Sequence, residues 1–252
     1  MVLPQPHSGA ARAAEHPGTG TMEPGASLRD DEDTLDLEIP EELKQLSAGR
    51  VHPGRRPAAT APGGLLDAPA DWPAVATPAG LFRFAAVEPA RDLPLITAWM
   101  NDPAVAAFWE LAGPPEVTAA HLRPQIEGDG RSVPLLGLLD GVPMSYWELY
   151  RADLDPLARY CRTLPHDTGV HLLLGRAAHR GHGTGTALLR AVADLVLDRR
   201  PRCSRVLAEP DLSNTPSVAA FLSAGFRLSA EVELPDKRAA LMVRDRVLRE
   251  AL

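Results

Sequence analysis

Residues 170–198 constrain the fold of this 252-residue chain more than any other stretch. Val170-His171-Leu172-Leu173-Leu174 is a short apolar run with the pattern of a strand. After Gly175 to His179 comes Arg180-Gly181-His182-Gly183-Thr184-Gly185. Thr184 to Asp198 then reads as an amphipathic helix, with Ala187, Leu188, Ala191, Val192, Leu195 and Val196 on one face, ended by Arg199, Arg200 and Pro201. A strand, a glycine-rich turn and a helix start together make an anion site. Unpaired N–H groups point outward there, the helix dipole favours negative charge, and glycines let a bulky phosphate approach the backbone.

The rest of the chain divides near Trp72. Before it there is no Phe, Tyr or Trp, and proline, glycine and alanine dominate. Residues 1–75 are therefore predicted to be a mostly disordered tail that buries too little apolar surface to offset chain entropy. Leu35 to Leu46 is its exception, either a short docking element or a solvated acidic segment. Residues 76–252 are predicted to form an α/β domain of about 170 residues with a mixed sheet. Its expected strands are Leu81–Val87, Val133–Leu139, Pro143–Tyr150, Val170–Leu174, Val206–Ala208 and Ala239–Val243, with Asp140-Gly141 as a hairpin turn. Expected helices run from Arg91 to Asn101, from about Val117 with Pro124 interrupting, from Thr184 to Asp198, and from Thr215 to Ala224 with Thr215 as N-cap.

Composition narrows the function classes. A net charge of −7 argues against nucleic-acid or anionic-membrane binding. No apolar run reaches the roughly 20 residues of a membrane span, and the N-terminus has no secretory pattern. Cys161 and Cys203 lack metal-ligand spacing and read as reduced thiols of a cytoplasmic protein. His179 and His182 have no Cys or acid at ligand spacing, so no metal is expected.

The glycine loop lacks the Gly-Lys-Ser/Thr of a Walker loop, and the third glycine of a dinucleotide fingerprint falls at Thr186. It does match Arg-x-x-Gly-x-Gly at Arg180, Gly183 and Gly185. That resembles the pyrophosphate-binding loop of the GNAT superfamily of CoA-dependent N-acyltransferases. Asn214-Thr215-Pro216-Ser217, followed by Phe221 and Gly225-Phe226, resembles a second GNAT signature. The resemblance implies a mixed, mostly antiparallel sheet flanked by helices, with a splayed strand pair holding acyl-CoA as co-substrate. It assigns the pyrophosphate to Arg180, Gly181, His182, Gly183, Thr184, Gly185 and Thr186. The thioester carbonyl falls to the backbone of Leu172, Leu173 and Leu174, and the CoA arm to Asn214, Ser217 and Phe221. Many GNAT enzymes carry a tyrosine at the position of Phe221 as general acid, so protonation of the thiolate here must come from water or another group.

Further stretches, among them Phe108-Trp109-Glu110, Tyr146-Trp147-Glu148-Leu149-Tyr150, Ala208-Glu209-Pro210-Asp211 and Leu234-Pro235-Asp236-Lys237-Arg238, resemble the GNAT branch of hydroxamate-siderophore biosynthesis. That branch acylates an N-hydroxylated lysine, ornithine or diamine, and pathway enzymes are its possible partners. The resemblance gives His171 and Asp211 as a binding and proton-transfer pair on opposite lips of the splay, either of them the base. Glu148 is a candidate partner for a cationic amine and Trp109 a pocket wall. Tyr146, Trp147 and Glu110 are further substrate-side candidates. Lys237 and Arg238 would bind a substrate carboxylate or stand as solvated turn charges. Two other readings remain open: an aminoglycoside N-acetyltransferase, and a non-catalytic CoA-binding sensor.

Overall fold

The computed structural model describes residues 65–249. The expectations for the segment before Leu65, including Leu35 to Leu46, fall outside the described residues. Within them the folded unit starts earlier than the composition boundary at residue 75. Leu66 and Trp72 are buried in the main core. The Trp72 indole N–H donates to the Asp67 carbonyl at 2.8 Å. Two apolar anchors in a Pro/Ala-rich run are diluted in any average over the run.

The elements are β1 (Val75–Thr77), β2 (Gly80–Ala86), α1 (Pro89–Met100), α2 (Pro103–Trp109), α3 (Pro115–Ile126), β3 (Ser132–Leu139), β4 (Val142–Arg151), β5 (Thr168–Leu174), α4 (Thr184–Arg199), β6 (Arg205–Ala208), α5 (Thr215–Ser223), β7 (Arg227–Glu233) and β8 (Arg238–Asp245). They build an eight-stranded sheet in the order β1-β2-β3-β4-β5-β6-β8-β7. Every neighbouring pair is antiparallel except β5–β6. That parallel pair is joined through α4, the crossover a parallel connection requires. Asp140 and Gly141 have φ of 49° and 82°, the two left-handed residues of a primed hairpin turn.

Strand alternation sorts side chains onto two faces. Trp147, Leu149 and Val170 enter the core under α4 and α5, with Leu172 and Leu174 against it. Tyr146 and Leu173 point the other way, into a second core with Ile96, Trp99, Met100, Val105 and Leu122 of α1 to α3. His171 shares the Leu173 side.

Two local expectations are corrected. Pro124 lies inside α3 rather than breaking it, two residues before its end, where the forfeited bond costs one orphan carbonyl. The N-cap of α5 is Asn214, whose Oδ1 accepts the Ser217 N–H at 3.2 Å, and not Thr215. β7 went unread because it is exposed on both faces apart from Val232, so it carries no apolar alternation. Among the described residues no helix is long and apolar enough to cross a membrane.

Candidate active site

β5 and β6 pair only through Thr168↔Val206 and Gly169↔Leu207. Beyond Gly169 they part, and a cavity of about 310 Å³ opens between them. Gly169 is obligatory where the gap begins, because a Cβ there would lie 1.9 Å from the Tyr150 ring. That ring is held in place to aim its hydroxyl at Glu209, donating to Oε2 at 2.5 Å.

His171 is the first inward side chain past the last β5–β6 pair. Its Nδ1 lies 2.9 Å from Glu148 Oε2 and its Nε2 lies 2.5 Å from Glu209 Oε1. About a third of the side chain is exposed, toward the cavity (34%), whereas both carboxylates are buried. Glu148 is further tied by Tyr146 Oη and Gln125 Nε2, each donating to Oε1 at 2.8 Å, and by His121 Nε2 at 2.5 Å. Burial alone would discharge the imidazole. The Glu209 charge and the hydrogen bonds that His171 donates to Glu148 and Glu209 outweigh it and raise the His171 pKa to about 10. Both carboxylates are pushed the other way: burial would raise them, but His121 and His171 hold Glu148 low and His171 holds Glu209 low. The three groups therefore form a carboxylate–imidazolium–carboxylate triad at neutral pH, its carboxylates buried and its imidazole partly open to the cavity.

Asp211 lines the same cavity, but His171 is not its partner. Its Oδ1 accepts the Ser213 N–H and hydroxyl, both at 2.6 Å, and these bonds lower its pKa. The carboxylate is thus ionised and beside the gap. Asp236 and Lys237, in the turn before β8, close the cavity on this side, and Phe108, Trp109 and Leu111 wall it on the other. Trp109 packs edge-on against both Tyr146 and His171. Asn214, Ser217 and Phe221 also line it, so the cavity runs from His171 to the start of α5.

At the glycine loop, Gly181 and Gly183 have φ of 77° and 79° with open space where a Cβ would stand. Conformation, not crowding, demands glycine at both. The helix-type bond from Ala187 N–H to the Gly183 carbonyl opens α4, and Thr184, Gly185 and Thr186 stand before it with outward N–H groups. His182 is exposed on the same loop. The Arg180 guanidinium does not face outward. It pairs with Asp102 at 3.0 and 3.1 Å and caps the Leu174 and Gly175 carbonyls. Arg180 thus fixes the loop to β5 and α2, and its guanidinium is spent on that anchoring. Leu172, Leu173 and Leu174 pair with β4 on one side. Their other edge lies past the last β6 pair, open to the gap.

Several expected site residues stand elsewhere. Trp147 is buried among Phe82 and Phe84 on the opposite face, its indole N–H bonded to Ser145. Tyr146 is fully buried and reaches the site indirectly, by holding Glu148 and backing Trp109. Glu110 is an exposed C-cap of α2 with left-handed backbone (φ 54°) and does not line the cavity. Arg238 pairs with Glu231 and Glu233. Four residues receive no site role from sequence: Glu209, Tyr150, His121 and Gln125. Glu209 alone had a usable signal, an acid just past a strand core. His121 and Gln125 are one helical turn apart on α3, but nothing local to them marks Glu148 as their target.

A family model described as an acetyltransferase (GNAT) domain matches residues 88–234. This chain belongs to the GNAT acetyltransferase family. Among its GNAT relatives is the N(6)-hydroxylysine O-acetyltransferase of Escherichia coli, 35% identical over 66% of this chain and 52% of that protein. Lysine N-acyltransferase MbtK of Mycolicibacterium paratuberculosis is 35% identical over 61% of this chain and 69% of that one. The matched segment thus spans about half of the Escherichia coli relative. Among solved structures, the aminoglycoside acetyltransferase AAC(6')-Ib in complex with coenzyme A superposes with a TM-score of 0.61 at 25% identity, covering 68% of this chain and 98% of that one.

Proposed function

We propose that this chain transfers an acyl group, acetyl or succinyl, from acyl-CoA to the hydroxylamine nitrogen of an N-hydroxylated lysine, ornithine or diamine, giving a hydroxamate. The observation that carries the reading is the Glu148–His171–Glu209 triad beside an ionised Asp211 where β5 and β6 part. The names of two relatives support it in parts: a hydroxylysine acceptor from the Escherichia coli protein and acyl transfer to nitrogen from that of Mycolicibacterium paratuberculosis.

An imidazolium cannot act as a base. A lysine amine, with a pKa of about 10.4, would arrive protonated and need a strong base. A hydroxylamine is much less basic and arrives as a nucleophile. The site then needs only positioning and one proton acceptor. The nitrogen attacks the thioester carbonyl, which is polarised by N–H groups on the open edge of Leu172 to Leu174. The nitrogen proton passes to Asp211. The adduct collapses as the C–S bond breaks, and the departing thiolate takes a proton from water, since Phe221 has none to give. His171 acts as a fixed cation on the acceptor side. The glycine loop with Thr184 to Thr186 holds the pyrophosphate.

An aminoglycoside acceptor would suit a strongly anionic pocket. Glu148, Glu209, Asp211 and Asp236 all line this one. His171 offsets only one of the first two and Lys237 one of the others, so these groups keep a net charge of −2. The relatives named for hydroxylysine and lysine are what favour a small acceptor over a polycation. On this reading residues 65–249 hold the catalytic domain, and the enzyme works in the cytoplasm beside the N-hydroxylase that supplies its acceptor. The test is product analysis. Acetyl-CoA and N-hydroxylysine should yield a species that gives a ferric-hydroxamate colour and the mass of one added acetyl group; an O-acetyl ester without that colour would refute transfer to nitrogen.

A further inference from the structure

Lys237 is the only lysine among the described residues. It stands in the turn between β7 and β8, its carbonyl accepting the Leu234 N–H at 2.9 Å, and it lines the cavity that holds His171 and Asp211. The adjacent Arg238 is committed to Glu231 and Glu233. Lys237 makes no such salt bridge among the described residues. Its charge reaches Glu209 and Asp211 only through space. A long ammonium at a cavity mouth with no bonded partner is a point charge available to an anion of the ligand. Asp236 lines the same cavity one residue away. An adjacent anion and cation on one rim match the two charges of an α-amino acid head group.

We propose that Lys237 and Asp236 receive the α-carboxylate and α-ammonium of the acceptor, so that the acceptor is an N-hydroxylated amino acid rather than a decarboxylated diamine. The inference rests on the acyl-transfer reading of this cavity and narrows its substrate class. A carboxylate also occurs at the end of a dicarboxylic acyl chain such as succinyl. The amino acid is favoured because a succinyl chain offers Asp236 no cation.

The test pairs N6-hydroxylysine with N-hydroxycadaverine, which share the hydroxylamine and the distal ammonium and differ by the carboxylate. Binding is measured by calorimetry on the full chain in the presence of coenzyme A, which carries no acyl group to transfer. Wild type should bind hydroxylysine about tenfold more tightly, the worth of one charge-assisted hydrogen bond. Lys237→Met should erase that margin and leave hydroxycadaverine unchanged, while Asp236→Asn should weaken both amines. Equal affinities in wild type, a margin that survives Lys237→Met, or no binding of hydroxylysine would overturn the proposal. A turnover arm compares acetyl-CoA with succinyl-CoA. A Lys237→Met defect confined to succinyl-CoA, whatever the amine, would give Lys237 to the acyl chain and also overturn it. If neither amine is acylated, the acyl-transfer reading fails while the calorimetry still decides the role of Lys237.

Discussion

His171 Nε2 and Glu209 Oε1 lie 2.5 Å apart across the gap where β5 and β6 stop pairing. This contact ties the two lips of the splay and supplies the largest attraction that keeps His171 charged. Replacing Glu209 by Gln keeps the shape and removes that charge. The His171 pKa, followed by NMR, should fall toward its ordinary 6.5. Turnover should drop about a hundredfold, the usual loss on removing a preorganised electrostatic group. An unmoved titration, or full activity, would show that Glu209 is only a packing group.

The same triad sets a pH window for stability. The raised His171 pKa contributes stability that is fully present below 6.5 and is lost as pH climbs toward about 10. The depressed Glu148 and Glu209 contribute stability that is present above 4.5 and lost as pH falls below it. Thermal melting should therefore be highest between about pH 4.5 and 6.5 and decline through the alkaline range. His171→Asn should flatten the alkaline slope while lowering the maximum. An identical slope in the variant would place the titration elsewhere.

Asp211 is accessible and held by Ser213, so Asp211→Asn retains an oxygen for those bonds. Turnover should fall by about 10² to 10⁴, the usual worth of a proton acceptor, with little change in the KM for either substrate and an unchanged circular dichroism spectrum. Unchanged turnover would remove Asp211 from the reaction.

On the proposed reading, Arg180 acts on coenzyme A through the loop it anchors. Arg180→Met should raise the Kd for acyl-CoA about tenfold and leave the affinity for the acceptor amine alone. Asp102→Asn keeps an acceptor for the Ala104 N–H of its own cap and should reproduce most of that loss. Arg180 does not touch the acceptor site, so a change in amine affinity alone would contradict this assignment.

Local signals were legible where chemistry follows from neighbours in sequence. The hairpin at Asp140-Gly141, the strand–turn–helix around Arg180 to Thr186 and the α5 signature from Asn214 to Phe226 each read correctly as elements because their cues are short-range. Partners brought together by the sheet were not legible. Glu148 meets His171 through the register of β4 on β5, and His121 meets Glu148 across 27 residues of chain. Trp147 and Glu148 are adjacent and look alike in sequence, yet alternation sends one into the aromatic core and the other to the site. The direction of the Arg180 guanidinium likewise depended on Asp102, 78 residues away.

The most direct measurement offers the purified chain acetyl-CoA with N-hydroxylysine, N-hydroxyornithine, N-hydroxycadaverine, lysine or kanamycin, and follows release of free thiol. The expected result is thiol release with an N-hydroxylated amine at a kcat/KM at least about a hundredfold above that for lysine, and none with kanamycin. Release with kanamycin alone, or with lysine as readily as with its hydroxylated form, would contradict acyl transfer to a hydroxylamine.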